Sequence, residues 1–326
     1  MSAPSEISHN VWLGPSPDPS LVDPQGDRLF DNSKYDLMIE TSDLAQIPDE
    51  KCLKALDEFL DRRASGKGPQ TKEVPFLEFP GSGAILPPTW SQGEVDGLVT
   101  ACEWIYNQAH GQPPAQKRRD SKLSLSPSPD RDGDGDSSMQ DAQSDDKAGR
   151  KILIHCTDGY TESSLLGLAY YMYAECVTAH DAWLQLHRAK GRNFFAYSSD
   201  VALLRAIQPR LMQSSPKYAG DIQSLCPPVP DWLDKMDGSL PSRILPYMYL
   251  GNLGHANNPS LLQELDIGQI LSVGEPVAWP KQFVDTWPTE RLLFVDRVQD
   301  NGVDPLTEEF GRCLEFIGES SNARRM

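Results

Sequence analysis

Short apolar runs recur along the chain, separated by stretches with helical periodicity. Four runs have the length and apolar content of buried strands. They are VWLGP (11–15), DLMIETSD (36–43), VPFLEFP (74–80) and KILI (151–154). Apolar residues at helical spacing from Val95 to Tyr106 predict a helix between the third and fourth runs, and a second helix is predicted from Ser164 to Cys176. Alternating strands and helices predict an α/β fold with a central, mostly parallel sheet flanked by helices.

The end of the chain repeats the pattern of its beginning. MYLGN (248–252), GQILSVGE (268–275) and ERLLFVD (290–296) match the first three runs in order. The apolar positions between Leu306 and Ile317 repeat those of the first helix. Because order and approximate spacing agree over four elements, we interpret the chain as one full copy of a domain, 9–213, and one incomplete copy, 243–326.

Two stretches have a low-complexity composition that is typical of insertions and linkers. Residues 111–149 are rich in Pro, Ser, Asp and Gly, which predicts a disordered acidic insertion within the first copy. Residues 214–242 are proline-rich and are interpreted as the linker between the copies.

The acidic insertion also has the spacing of a calcium-binding loop. The residues at ligand positions are Asp130, Asp132, Asp134, Gly135 and Asp141. Ser137 occupies the usually apolar position and no amphipathic helices flank the loop. A solvated acidic linker is therefore the favoured interpretation, with calcium binding as the alternative.

Composition limits the partners and the compartment. A formal net charge of −17 at pH 7 argues against nucleic acid as a partner. No apolar stretch reaches the roughly 18 residues of a membrane span, and the polar N-terminus does not resemble a signal peptide, so we expect a cytoplasmic or nuclear protein. The 6 Cys lack CxxC spacing and the 6 His lack ligand spacing, which predicts no metal and no cofactor.

The candidate chemistry lies directly after the fourth apolar run. The sequence continues as HCTDGYTES (155–163) and then enters the helix from Ser164. A strand, a tight loop containing Gly and a helix N-terminus bring backbone N–H groups to one point and form an anion cradle. Cys156 at the start of that loop would be a nucleophile. The alternatives are a cysteine that only packs in the core and a rhodanese-like cysteine-loop enzyme.

The loop resembles HC-x-x-G-x-x-R-[ST], the signature of protein tyrosine phosphatases and their dual-specificity branch. His155, Cys156, Gly159 and Ser163 are kept, whereas Glu162 replaces the arginine. The YLGN-type opening strand and two expected closing helices, 179–191 and 197–211, are also similar to that family. The arrangement in two copies resembles fungal dual-specificity phosphatases of the S-phase type.

The resemblance implies dephosphorylation of phosphotyrosine and phosphoserine/threonine through a cysteinyl-phosphate. Cys156 would stand at the nucleophile position, and the partners would be phosphorylated proteins or other proteins, with no nucleic acid and no membrane. The phosphate loop would comprise His155, Thr157, Asp158, Gly159, Tyr160, Thr161, Glu162 and Ser163. We expect His155 to brace the loop through hydrogen bonds rather than to act as a base.

Three departures from the pattern predict an inactive first copy. A carboxylate at Glu162 repels a phosphate charge about 4 Å away by roughly 4 kcal/mol at an effective dielectric near 20. Asp158 adds a second negative group to the loop. The segment GSGAILPP after the third run contains no carboxylate that could act as general acid. The alternative to an enzyme is a pseudophosphatase that acts as a binding or regulatory module.

In the second copy, Asp300 falls at the general-acid position of the family, with an ordinary loop aspartate as the alternative interpretation. No second HCxxGxxR loop follows before Met326. We therefore expect the second copy to be truncated in this sequence.

The acidic insertion predicts the first site of proteolysis. Limited digestion should cut within 111–149 before any other region, because an unpacked segment fits a protease active site most easily. The two fragments should stay associated on a sizing column through the shared sheet. Strong protection of this segment in calcium-free buffer would contradict the prediction.

Overall fold

The computed structural model describes residues 3–17, 32–67, 73–83, 91–111, 148–284, 287–296, 298 and 306–323. Most of the expected insertion, the calcium-like loop and Asp300 lie outside these residues.

A five-stranded sheet forms the core of the larger unit. Its strands are β1 (Ser5–Ser8), β2 (Val11–Pro15), β3 (Leu37–Ser42), β4 (Phe76–Pro80) and β5 (Ile152–Cys156). The spatial order is β1-β2-β5-β3-β4. β1 pairs antiparallel with β2, and all other pairs are parallel. The predicted α/β fold with a mostly parallel sheet is therefore confirmed.

Five helices flank this sheet and complete what we call the five-stranded unit. They are α1 (Glu50–Ala64), α2 (Gln92–His110), α3 (Ser164–Glu175), α4 (Ala179–Arg188) and α5 (Ser198–Ser214). The helices expected around 95–106, 164–176, 179–191 and 197–211 are thus present with shifted ends. No helix in the described part of the chain is long and apolar enough to cross a membrane.

Helix α2 is longer than the apolar spacing predicted because its ends are set by polar residues. The Ser91 side chain accepts from the Glu94 N–H, and the Glu94 carboxylate accepts from the Ser91 N–H, which forms a capping box. Gly111 ends the helix in the left-handed conformation, at φ 65°. Helix α1 was not predicted, because its buried face consists of little more than Leu53 and Leu60 among many charged residues.

The C-terminal segment, 242–323, contains two separate two-stranded sheets. Its elements are β6 (Ser242–Leu245), β7 (Met248–Leu250), α6 (Leu253–Ala256), α7 (Pro259–Glu264), β8 (Ile270–Val273), α8 (Lys281–Val284), β9 (Leu292–Val295) and α9 (Phe310–Ala323). β6 and β7 form an antiparallel hairpin with an irregularity after its second pair, as β1 and β2 do. β8 and β9 are parallel, as β3 and β4 are. Among the described residues, no strand joins β7 to β8 as β5 joins β2 to β3.

The segment 214–242 packs on the five-stranded unit. Leu225, Trp232, Leu233 and Leu240 are buried, and Trp232 is only 1% exposed. Gln208 of α5 donates from Nε2 to the Leu225 carbonyl at 2.8 Å, and Asn258 donates from Nδ2 to the Trp232 carbonyl at 2.9 Å. Residues expected to form a linker are therefore in contact with both parts of the chain. The boundaries of the two copies stay a prediction.

Replacing Trp232 tests how much this segment contributes to stability. Trp232→Ala should lower the free energy of unfolding by about 3–5 kcal/mol, because it removes a buried aromatic side chain and leaves a cavity. Urea denaturation measures the change. Ile222→Ala in the same segment is the control, since Ile222 is 77% exposed. Equal effects of the two substitutions would show that 214–242 does not share the core.

Candidate functional site

The cysteine loop lies at the carboxyl ends of the parallel strands, between β5 and α3. All five residues of β5 are buried, and β5 bonds to β2 on one side and β3 on the other. Cys156 ends this strand and is 1% exposed. Its carbonyl accepts from the Ser16 N–H at 2.7 Å. The sheet therefore fixes the position of the cysteine, at the edge where open α/β sheets bind ligands.

Gly159 is required for the path of the loop. It adopts φ +68°, and a Cβ atom there would lie 2.3 Å from the Pro15 nitrogen. The Gly159 carbonyl accepts from Nη2 of Arg192 at 2.8 Å. Gly159 thus packs against β2, and the guanidinium group of Arg192 donates a hydrogen bond to its carbonyl.

The carboxylates of Asp158 and Glu162 lie close to the Cys156 sulfur at the open side of the loop, which we call its mouth. The Cys156 Sγ lies 3.5 Å from Oδ1 of Asp158 and 3.4 Å from Oγ of Ser163. Cys156 Sγ, a carboxylate oxygen of Asp158 and one of Glu162 all lie within 4.8 Å of one another. Glu162 therefore faces the cysteine from the position where the resemblance implies an arginine.

This cluster disfavours the binding of an anion in the loop. Each carboxylate would repel a phosphoryl charge at about 4 Å by roughly 4 kcal/mol at an effective dielectric near 20. Thiolate and carboxylate groups are also donors for a divalent cation. The cluster offers three such atoms, one fewer than the four ligands of a closed zinc site.

The turn after β4 covers the start of α3. The Ser82 N–H donates to the Glu162 carbonyl at 2.9 Å, and Ser82 Oγ accepts from the Leu165 N–H at 2.8 Å. Ser82 Oγ also lies 2.8 Å from Ser164 Oγ. The Leu165 N–H, in the first turn of α3, is therefore bonded to the Ser82 side chain.

Asp200 of α5 reaches the same turn and was not found by sequence reasoning. Its Oδ2 accepts from the Gly83 N–H at 3.0 Å, and Oδ1 has no partner among the described residues. Burial raises the pKa of this carboxyl to about 6, and the bond from Gly83 opposes that rise. Only the tertiary structure brings Asp200 to the turn, since 117 residues separate it from Gly83.

Another carboxylate lies near the rim. A Cβ atom on Gly81 would be 3.1 Å from Oδ1 of Asp43 and 3.3 Å from Cβ of Glu162. Asp43, just after β3, and Glu162, just before α3, thus flank Gly81. No local pattern pointed to Asp43, because its place follows from the parallel pairing of β3 and β4.

Arg192 is a further residue that sequence reasoning missed. It is 3% exposed and lies in the connection between α4 and α5. Besides its bond to Gly159, it donates from Nη1 to the Ala3 carbonyl at 3.1 Å. Burial lowers its pKa, and a Cys156 thiolate nearby favours its charged form. Arg192 therefore supports the loop from outside the signature sequence.

The prediction that the His155 ring braces the loop through hydrogen bonds was wrong. Neither ring nitrogen has a hydrogen-bond partner among the described residues, so the ring does not brace the loop. The His155 carbonyl instead accepts from Oγ1 of Thr41 at 3.1 Å. Burial lowers the pKa of the imidazole to about 4, which keeps it neutral near pH 7. The cause is its position inside β5, which buries the ring against the core.

Part of the chain is similar in sequence to a protein phosphatase of yeast. The chain is 35% identical over 242 residues to the dual specificity protein phosphatase PPS1 of Saccharomyces cerevisiae. The match covers 51% of this chain and 30% of the yeast protein, so it spans less than a third of that relative. No protein-family model matches the chain.

Several solved structures also match. The match to a variant of human DUSP28 covers 66% of this chain and 100% of that chain, at 13% identity and a TM-score of 0.36. The match to Tk-PTP in the active form covers 65% and 98%, at 14% identity and a TM-score of 0.33.

The raised pKa of Asp200 predicts a pH-dependent stability. Because the folded pKa is about 6 and the unfolded one about 4, folding takes up a proton between these values and this contribution to stability falls as pH rises. The melting temperature of wild type relative to Asp200→Asn should therefore decrease from pH 5 to pH 7.5. Calorimetry over that range measures it, with the exposed Asp231→Asn as control. A difference that is constant with pH would contradict the assignment.

Proposed function

We propose that residues 9–213 form a dual-specificity phosphatase domain that has lost catalysis and acts as a binding or regulatory module. The observation that supports this most directly is the group of Cys156, Asp158 and Glu162, whose donor atoms lie within 4.8 Å of one another. A phosphoryl group would have to enter between two carboxylates to reach the sulfur. The similarity to a yeast dual specificity phosphatase supports the family.

The proposal follows from the three roles that phosphoryl transfer to a cysteine requires. The nucleophile is in place at the end of β5. The clamp on the phosphoryl oxygens is lost in this proposal, because Glu162 reverses its charge and no guanidinium group among the described residues takes its place. Arg192 does not replace it, since its two terminal nitrogens donate to carbonyls of the protein.

The third role is that of a general acid, which typically contributes 10²–10⁴-fold to the rate. The sequence from Gly81 to Trp90 contains no carboxylate. Asp200 reaches this segment but is 1% exposed and accepts a bond from Gly83. We infer that Asp200 holds the turn in place and does not protonate a leaving group.

We also propose that the C-terminal segment belongs to a second copy of the domain. The β6–β7 hairpin has the pairing of β1–β2, including the irregularity that follows its second pair. Corresponding residues differ in burial, however. Leu13 is 1% exposed and its counterpart Leu250 is 65% exposed. Phosphatase activity toward phosphorylated proteins would be a property of such a second copy, and Asp300 would then be its general acid.

The activity of the first copy can be tested by comparing wild type, Cys156→Ser and Glu162→Arg. Hydrolysis of an aryl phosphate by wild type should be indistinguishable from that of Cys156→Ser, because the clamp and the acid are both missing. Glu162→Arg should gain binding of phosphate or vanadate, since it removes a repulsive charge and supplies a bidentate donor. Its turnover should stay slow without a general acid.

Turnover is followed by release of the aryl alcohol, and binding by calorimetry. Arg312→Glu is a suitable control, because it changes charge on the distant helix α9 at a residue that is 55% exposed. Turnover by wild type that is lost in Cys156→Ser would refute the proposal and return this domain to the active enzymes.

A further inference from the structure

A polar cavity lies between the five-stranded unit and strand β6. Its volume is about 460 Å³, within the usual range of roughly 300–1,000 Å³ for small-molecule sites. The side chains that matter for binding are those of Asp158, Tyr160, His187, Arg192, Asn193 and Arg243. Arg243 comes from β6, whereas the other five belong to the five-stranded unit.

Arg192 lines this cavity as a buried cation without a carboxylate partner in the described part of the chain. Its terminal nitrogens reach only the carbonyls of Gly159 and Ala3, and its Nε has no partner there. A buried charge without a counter-ion is costly, even when carbonyls accept its hydrogen bonds. An anion in the cavity would supply the missing charge.

Two further buried groups at the cavity have unused hydrogen-bonding capacity. His187 is 3% exposed, its ring bonds to the backbone of Arg192, and its Nε2 has no partner among the described residues. Asn193 donates from Nδ2 to Oγ of Ser242 at 2.7 Å, while its Oδ1 is likewise without a partner there. Buried polar atoms normally have hydrogen-bond partners, so these two atoms can bond to a ligand that enters the cavity.

Arg243 of β6 adds a second guanidinium group on the opposite side of the cavity from the five-stranded unit. It donates from Nη2 to the Pro246 carbonyl at 2.8 Å and makes no ion pair with any described residue. Asp158 opposes the two cations, but its Oδ1 already accepts from the Tyr160 N–H at 2.8 Å. The protein carries a net charge of −17, yet two arginines without an ion pair among the described residues line this cavity.

We propose that this cavity binds a small phosphate-bearing anion, held between Arg192 and Arg243. The guanidinium group of Arg243 matches the oxygens of phosphate and would bind them through charge-assisted hydrogen bonds. Arg192, whose Nη1 and Nη2 already donate to carbonyls, would contribute its buried positive charge and its Nε donor. Arg192 belongs to the five-stranded unit and Arg243 to the C-terminal segment, so the bound anion joins the two. The cavity shares Asp158, Gly159 and Tyr160 with the cysteine loop, whereas Cys156 and Glu162 do not line it. Its occupation therefore does not require an active phosphatase.

Calorimetric titration of the full chain with inorganic phosphate and with phenyl phosphate tests the site. Wild type should bind at least one of them saturably, and Arg243→Glu should weaken that binding at least about tenfold, since it replaces a charge-assisted donor by a like charge. Arg243→Gln should give an intermediate loss. Arg312→Glu on α9 should bind as wild type does. Melting curves establish that each variant is folded.

The two ligands distinguish the source of the phosphoryl group. Binding of both identifies the phosphoryl group as the determinant, whereas binding of phenyl phosphate alone identifies a monoester such as a phosphorylated side chain. Binding of inorganic phosphate alone identifies the free ion. No saturable binding to wild type, or equal binding to wild type and Arg243→Glu, would overturn the inference. Binding that is lost in Cys156→Ser but kept in Arg243→Glu would place the anion in the cysteine loop and contradict the inactive loop as well.

Discussion

The position of β5 between β2 and β3 is the constraint on which the five-stranded unit depends. β5 joins two pairs of strands that have no other hydrogen bonds between them, and every one of its residues is buried. The chain leaves the sheet at Cys156 and enters α3, which is itself buried from Ser164 to Ala174. The cysteine therefore lies between two of the most enclosed elements of the fold. In the C-terminal segment, where no described strand takes this place, the corresponding pairs of strands remain two separate sheets.

Charge is distributed unevenly around this centre. Carboxylates of Asp158, Glu162 and Asp43 lie at the open side of the loop. Next to β6, the guanidinium groups of Arg192 and Arg243 line a cavity. An anion approaching the protein would meet repulsion at the first place and attraction at the second. The two proposals therefore concern adjoining surfaces that share Asp158, and they depend on opposite signs of charge.

Periodicity was sufficient to predict most of the five-stranded unit, because its strands are short runs of apolar residues and α3 is apolar on every side. It failed for α1, where charged residues outnumber the few that reach the core. The loop residues were predicted from their order in the sequence, since strand, glycine and helix follow one another directly. Asp200, Arg192 and Asp43 were not, because they come from distant positions and meet the loop only through the packing of α5, the α4–α5 connection and β3. The burial of the His155 ring also depends on tertiary packing, which a local sequence pattern does not predict.

The supports of the loop lie outside its mouth. Gly159 packs against Gly14 and Pro15, Arg192 binds the Gly159 carbonyl, and Ser82 binds the backbone at Glu162 and Leu165. None of these contacts uses the side chain at 162. The shape of the loop, 155–163, therefore depends on other groups than its phosphate chemistry does. A change at position 162 that abolishes phosphate binding should lower the free energy of unfolding only slightly. A loop supported in this way can keep its shape whichever side chain stands at position 162.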